Sequence, residues 1–181
     1  MIPVKVQKIS YHPPSRSYAV ILKELTGERC LPVIVGSFEA QSIALAIEVV
    51  DTPRPLTHDL ICEMISGING ELKSVKINNL SDGVFYAKME LVTLEIGEKL
   101  IDARPSDAIA VALRMNAPIL VDPDVMTEAG VKENSIAQDQ APTKKSGLSL
   151  DSLKEKLKSA IEKEEYEMAA KLRDKISDLE S

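Results

Sequence analysis

The sequence is poor in the residues that build disulfide frameworks, aromatic platforms and membrane spans. It has two Cys, four Tyr, two Phe and no Trp. Two cysteines make no disulfide framework, so we expect a protein of the reducing cytoplasm. Six aromatic residues are too few for a stacking platform along single-stranded nucleic acid. No apolar run approaches the roughly 20 residues of a membrane helix, so we expect no membrane partner.

Several catalytic motifs are also missing. The chain has no CxxC pair, HExxH, P-loop, GxSxG or GxGxxG. Its histidines are His12 and His58, and no motif places either of them in a Ser/His/Asp triad. Cys30 and Cys62 lie in apolar patterns that indicate buried structural thiols. The net charge of -6 repels phosphates, so any contact with nucleic acid requires a local patch.

Composition divides the chain into three parts. Residues 132–149 are polar, contain Pro142 and Gly147 and show no hydrophobic period, which indicates a flexible linker. Residues 150–181 carry apolar side chains three or four positions apart on both sides of a charged stretch, which predicts an α-helical hairpin. A hairpin this short buries little apolar surface. We therefore expect its apolar stripe to need a partner, which is its own fold-back, a second copy or another protein.

Residues 1–131 show an internal duplication at an offset of 68 positions. Lys8-Ile9 falls on Lys76-Ile77, and Tyr18-Ala19 falls on Tyr86-Ala87. The pattern predicts two repeats, over about 1–68 and 69–131. Each repeat is expected to contain three strands followed by two helices, with a further short strand at 117–121. Hairpins followed by helices predict an α+β domain with a largely antiparallel sheet.

One candidate cluster lies where a predicted strand meets a helix, at Asp102-Ala-Arg-Pro-Ser-Asp107. Asp102 and Asp107 are candidate catalytic groups, and they are also the candidate ligands for Mg²⁺ or Mn²⁺ in metal-assisted phosphodiester hydrolysis. Arg104 and Ser106 are candidate phosphate-binding residues, since a guanidinium grips a phosphate at two points. A purely structural interpretation stays open, because Asp107 in a first helical turn favours the helix dipole and Arg104 can pair with either aspartate.

A second cluster, Arg54-Pro-Leu-Thr-His-Asp59, leads into the start of another predicted helix. His58 and Asp59 are candidate catalytic residues, and Arg54 is a candidate phosphate ligand. The structural alternative makes Thr57 the helix cap and Asp59 a first-turn acid. Glu39, which the duplication aligns with Asp107, is the last catalytic candidate. It has the same structural alternative.

Three segments resemble the signature of the bifunctional nuclease (BFN) domain over roughly residues 1–131. They are the segment from Leu31 to Ala40, the segment from Arg54 to Asp59, and the string Ala-Arg-Pro-Ser-Asp-Ala-Ile-Ala at 103–110. The stretch from Ala160 to Ile176 resembles the UVR motif of excision-repair subunits. These resemblances imply cleavage of DNA and RNA, a homodimer, and a protein-protein contact through residues 150–181.

The sequence therefore favours a nuclease that hydrolyses the phosphodiester bonds of DNA and RNA. The alternative is a non-enzymatic dimeric scaffold or ligand-binding module that docks repair or stress-response partners. A hydrolase of small phosphorylated metabolites would use the same residues. All of the enzymatic interpretations require the carboxylates and Arg104 to meet in one place.

Overall fold

The structure is a computed structural model that describes residues 1–50 and 52–133. Most of the predicted linker and all of the predicted helical hairpin over 150–181 lie outside the described residues. The described residues form an α+β fold of eight strands and four α-helices.

The strands and helices alternate in blocks along the chain. The first block contains β1 (Ile2–His12), β2 (Ser17–Glu24), β3 (Arg29–Val35), α1 (Ser37–Ile47) and α2 (Thr57–Gly67). The second contains β4 (Gly70–Ser81), β5 (Val84–Thr93), β6 (Gly97–Ala103), α3 (Pro105–Met115), β7 (Ile119–Val121), α4 (Pro123–Ala129) and β8 (Val131–Lys132). A one-turn 3-10 helix, Pro13–Ser15, connects β1 to β2.

The strands form a single sheet in the order β6-β5-β4-β7-β1-β2-β3-β8. Every neighbouring pair is antiparallel except β4 and β7, which run parallel. The α+β prediction with a largely antiparallel sheet is therefore confirmed for the described residues. The short strand β7 lies between the two three-stranded meanders, so it joins them into one sheet.

Two elements of the first block have counterparts in the second block at one constant spacing. The bounds of β3 and β6, and those of α1 and α3, differ by 68 at both ends. Asp82 and Gly83 make the tight β4–β5 turn with φ of 53° and 76°, the left-handed region that a hairpin of this length requires. The order of three strands and a helix therefore occurs twice.

All four helices contribute to one hydrophobic core with the sheet. Its helical members include Ala40 and Ile43 of α1, Ile65 of α2, and Met126 of α4. α3 is the most buried helix. At most 1% of the surface of each of five consecutive residues is exposed: Ala108, Ile109, Ala110, Val111 and Ala112. Alanine side chains keep the α1–α3 contact close, so the first turns of these helices come near each other.

Three details differ from the sequence prediction. Thr57 is the first residue of α2 and not its cap, because Leu56 occupies the cap position and its N–H donates to Asp59 Oδ2 at 2.7 Å. The Asp59 carboxylate, and not the Thr57 hydroxyl, is thus the side chain that caps the start of α2. Strand β8, which pairs with β3, was not predicted because two residues carry no periodic signal. The sequence predicts a helix from Phe38 to Val49, but α1 spans Ser37–Ile47 and Val49 follows with a φ of 51°.

Cys30 is fully buried and Cys62 is half-buried, which agrees with structural thiols. Burial raises the pKa of both thiols. In the part of the chain that the structure describes, no helix is long and apolar enough to cross a bilayer.

Candidate active site

Three helices begin with the same arrangement of an acid in the first turn. Glu39, Asp59 and Asp107 are each the third residue of their helix, in α1, α2 and α3 respectively. An acid at this position interacts favourably with the free N–H groups and the positive end of the helix dipole. Because α1 and α2 both pack against α3, these three acids are brought to the same region of the molecule.

Arg104 joins two of these acids. Its Nε donates to Asp107 Oδ2 at 2.9 Å and its second terminal nitrogen donates to Asp107 Oδ1 at 3.1 Å, which is a two-point ion pair. Its other terminal nitrogen donates to Glu39 Oε1 at 3.0 Å. The side chain of Arg104 is 67% exposed, whereas those of Glu39 and Asp107 are 23% and 30% exposed. The guanidinium is thus held in place by two carboxylates and remains open to solvent.

His58 lies on the inner side of this ion pair. Its Nε2 is 3.2 Å from Asp107 Oδ1, and its Nδ1 is 2.7 Å from the hydroxyl of Ser42 in α1. The imidazole therefore connects the first turns of α2 and α3 to the middle of α1. Only 14% of its side chain is exposed.

Asp59 forms a neighbouring ion pair with Arg114. Arg114 donates through Nε to Asp59 Oδ1 at 2.5 Å, and its terminal nitrogen donates to the carbonyls of Ser42 and Ala110. The Arg114 side chain is 12% exposed. The other Asp59 oxygen accepts the Leu56 N–H, so the carboxylate has a donor on each oxygen. These contacts fasten α2 to α1 and α3.

Two carboxylates of this region, those of Asp59 and Asp107, have a lowered pKa. Partial burial acts to raise the pKa of Asp107, but hydrogen bonds from Arg104 and His58 outweigh it and the pKa lies below its usual value. The hydrogen bond from Arg114 and that from the Leu56 N–H lower the pKa of Asp59. The Asp107 and Glu39 contacts raise the pKa of Arg104. The region therefore carries fixed charges of both signs at neutral pH.

The remaining candidates lie outside this network. Asp102 is exposed on β6, opposite Lys88 of β5. Arg54 is exposed in the loop before α2. Ser106 is buried in the first turn of α3. The structure thus brings Glu39, His58, Arg104 and Asp107 together, with Asp59 beside them.

No group of three or more His, Cys, Asp or Glu side chains is placed to hold a metal ion within residues 1–50 and 52–133. Asp102 and Asp107 make no common contact, and Asp107 is engaged by Arg104 and His58. The acid that faces Asp107 is Glu39, across the guanidinium of Arg104.

Two members of the network, Ser42 and Arg114, are not predicted from the sequence. Both lie in helices whose other residues are largely Ala, Ile, Leu and Val. At the offset of the duplication, Ser42 aligns with Ala110 and Arg114 aligns with Ala46. A polar residue that replaces an alanine of the other repeat is the signal that would have found them.

Two parts of the chain match known protein families. Residues 20–134 match the model of the bifunctional nuclease domain, and residues 148–181 match that of the UvrB/uvrC motif. The chain belongs to the bifunctional nuclease domain family. Both resemblances found in the sequence are therefore confirmed, and the family match contains all seven residues of the network described above, from Glu39 to Arg114.

Relatives occur in bacteria and plants. An uncharacterized protein of Mycobacterium tuberculosis is 39% identical over 140 residues, which cover 77% of this chain and 83% of the relative. Bifunctional nuclease 1 of Oryza sativa subsp. indica is 26% identical, with 88% of this chain and 54% of the relative covered. Bifunctional nuclease 2 of Oryza sativa subsp. japonica is 32% identical over 63% of this chain and 36% of its own length. The chain spans about half or less of the plant family members.

Proposed function

We propose that this protein is a nuclease that hydrolyses the phosphodiester bonds of DNA and RNA. Membership of the bifunctional nuclease domain family and the names of its plant relatives support this activity. The structural observation that carries the proposal is the exposed guanidinium of Arg104, held by two carboxylates beside a histidine.

Arg104 is the phosphate-binding group of the proposed site. Three of its N–H groups are used by Asp107 and Glu39, and a guanidinium has five. The remaining donors belong to the two terminal nitrogens of a largely exposed side chain. They can donate to the non-bridging oxygens of a phosphodiester and stabilise the charge that develops on them during hydrolysis.

Glu39 is the better placed of the two carboxylates to accept a proton from the attacking water. Asp107 accepts three hydrogen bonds, from Arg104 and His58, and its lowered pKa makes it a weak base. Glu39 accepts one hydrogen bond from Arg104 through Oε1, which leaves Oε2 for a water molecule. Asp107 then orients Arg104, and His58 supports Asp107.

Divalent-metal dependence is a separate part of the proposal. Mg²⁺ or Mn²⁺ bound by Glu39 and Asp107 would supply Lewis-acid chemistry to the phosphate and lower the pKa of a bound water. In that arrangement Arg104 would have to release at least one of its carboxylate partners. Rates measured with Mg²⁺, with Mn²⁺ and with excess EDTA distinguish this arrangement from the metal-free one, which depends on Arg104 and Glu39.

The decisive experiment assays the purified full chain on single-stranded DNA, double-stranded DNA and RNA, each with and without the two metals. The double variant Arg104→Ala with Asp107→Asn is expected to lose the activity while circular dichroism remains unchanged. Lys73→Ala is the matched control, because it removes an exposed positive charge that pairs with Glu71 outside the network. Absence of cleavage by the folded native chain on all substrates would remove the proposal.

A second candidate function is a dimeric interaction module that docks repair or stress-response proteins. The observation in its favour is an apolar stripe on α2, where Leu56, Leu60, Met64 and Ile68 follow one another at a spacing of four and are all exposed. The UvrB/uvrC motif of residues 148–181 supplies a further contact segment. Deletion of 148–181 distinguishes the candidates, since a nuclease keeps its intrinsic activity and an adaptor loses its partner.

A further inference from the structure

Ser42 is the one hydroxyl that contacts the candidate histidine in the described part of the chain. Its Oγ lies 2.7 Å from His58 Nδ1, and the opposite ring nitrogen lies 3.2 Å from Asp107 Oδ1. The three side chains come from α1, α2 and α3. One imidazole ring thus links three helices through hydrogen bonds at both of its nitrogens.

The partners of the ring assign its protons. Asp107 is ionised and can only accept hydrogen bonds, so His58 Nε2 must carry a hydrogen and donate it. In the neutral imidazole, Nδ1 is then an acceptor. The hydroxyl of Ser42 is able to donate to it, and the same hydroxyl can accept when Nδ1 is protonated. Ser42 therefore satisfies His58 in both of its charge states and keeps the Nε2–H directed at Asp107.

Exposure increases stepwise along this chain of contacts. Ser42 is buried, the side chains of His58 and Asp107 are partly buried, and that of Arg104 is mostly exposed. A bulky nucleic acid can reach Arg104 and the outer edge of Asp107. It does not reach Ser42, whose effect must pass through His58.

We propose that Ser42 is a positioning residue of the site, which acts through His58 to fix the Asp107 carboxylate against Arg104. This inference deepens the proposed nuclease function and rests on it for its catalytic part. The hydrogen bond between the Ser42 hydroxyl and His58 Nδ1 is independent of that function, so the two can fail separately.

Removal of this hydroxyl has two expected consequences. His58 Nδ1 loses its donor inside a mostly buried site, which leaves a polar atom without a partner. The ring is then held by Asp107 alone and can rotate about its side-chain bonds, so the Asp107–Arg104 ion pair loses its inner support. We expect Ser42→Ala to lower kcat about tenfold, with a much smaller change in KM, because Ser42 does not touch the substrate and Arg104 keeps its hydrogen bond to Glu39.

The chain contains a matched control. The hydroxyl of Ser15 lies 2.7 Å from His12 Nδ1 in an exposed turn, which repeats the same contact away from the site. Ser15→Ala is therefore expected to change the resonances of His12 and leave both those of His58 and the cleavage rate unchanged.

The experiment records the ¹⁵N resonances of both imidazole rings in the full chain, in Ser42→Ala and in Ser15→Ala, at a pH where the rings are neutral. The native protein should show His58 protonated at Nε2, and Ser42→Ala should shift its Nδ1 resonance downfield. A native His58 protonated at Nδ1, or a resonance that is the same in Ser42→Ala, overturns the inference, and the native spectrum decides even if the variant does not fold.

Cleavage rates of the same three proteins test the catalytic part. An unchanged kcat in Ser42→Ala, together with a shifted His58 resonance, overturns the positioning role while the proposed function stands. If the native chain cleaves neither DNA nor RNA, the proposed function fails and the positioning role falls with it. The resonances then still decide whether Ser42 donates to His58.

Discussion

Glu39 and Asp107 occupy the same position in the two predicted repeats, as the third residue of α1 and of α3, and both accept hydrogen bonds from Arg104. Arg104 has no counterpart in the first repeat, where Gly36 stands at the equivalent position. The pair of acids is therefore common to the two halves, whereas the group that joins them belongs to one.

The first prediction concerns the fork geometry of Arg104. Arg104→Lys keeps the charge but loses the parallel N–H groups that hold Asp107 and meet a phosphate. We expect a loss of roughly 100-fold in kcat/KM for Arg104→Ala and most of that loss for Arg104→Lys. The free energy of unfolding should change by less than about 1 kcal/mol, because the ion pairs are exposed on the Arg104 side. A fully active Arg104→Lys would show that charge alone suffices.

The second prediction concerns the pH dependence of stability through Asp59. Its pKa is lowered in the folded state, so its stabilisation is present above the unfolded-state value of about 3.9 and is lost as pH falls through the folded-state value. We expect Asp59→Asn to be less stable than the native chain at pH 7, with the difference shrinking below about pH 4. Urea unfolding at pH 7 and at pH 3 measures this difference in the free energy of unfolding.

Glu63→Gln is the control for that experiment, since Glu63 is an exposed acid on the same helix. Its difference from the native chain should stay nearly constant across the same pH range. An Asp59→Asn variant that destabilises equally at pH 7 and pH 3 would contradict the ion pair with Arg114.

The third prediction concerns the space around Gly36. A Cβ at this position would lie 2.5 Å from Glu39 Oε2, so Gly36→Ala pushes the carboxylate away from its place beside Arg104. We expect cleavage to fall roughly tenfold or more. The matched control is Gly67→Ala at the end of α2, where a Cβ meets no atom within 4 Å. That variant should keep its rate and gain about 0.5 kcal/mol in stability.

The fourth prediction concerns the apolar stripe of α2. If a second copy covers Leu60 and Met64, which are 51% and 63% exposed, their joint replacement by serine should convert a dimer into a monomer in light scattering. Leu94→Ser removes a side chain that is 95% exposed in a turn and should leave the mass unchanged. A native chain that is monomeric at high concentration would contradict this use of the stripe.

Local signals determined most of the fold. Pro105 at the first helical position predicts the start of α3 at its observed residue, and Ser81-Asp82-Gly83 predicts the β4–β5 turn. These features act within a few residues, so a sequence reports them directly. The capping residue predicted for α2, Thr57, was wrong. Thr57 and Asp59 can both cap a helix, and only the backbone geometry selects between them.

The sequence by itself determined which residue types stand at the starts of the helices, and it placed the chain in its family. Only the tertiary structure decided which of them meet. Arg104 reaches Glu39 across 65 residues, and Arg114 reaches Asp59 across 55. Such contacts depend on the packing of α1 and α2 against α3, which is set by the burial of many small side chains together. No local pattern carries that information, so the sequence cannot distinguish Asp102 and Arg54, which lie outside the network, from Asp107, which belongs to it.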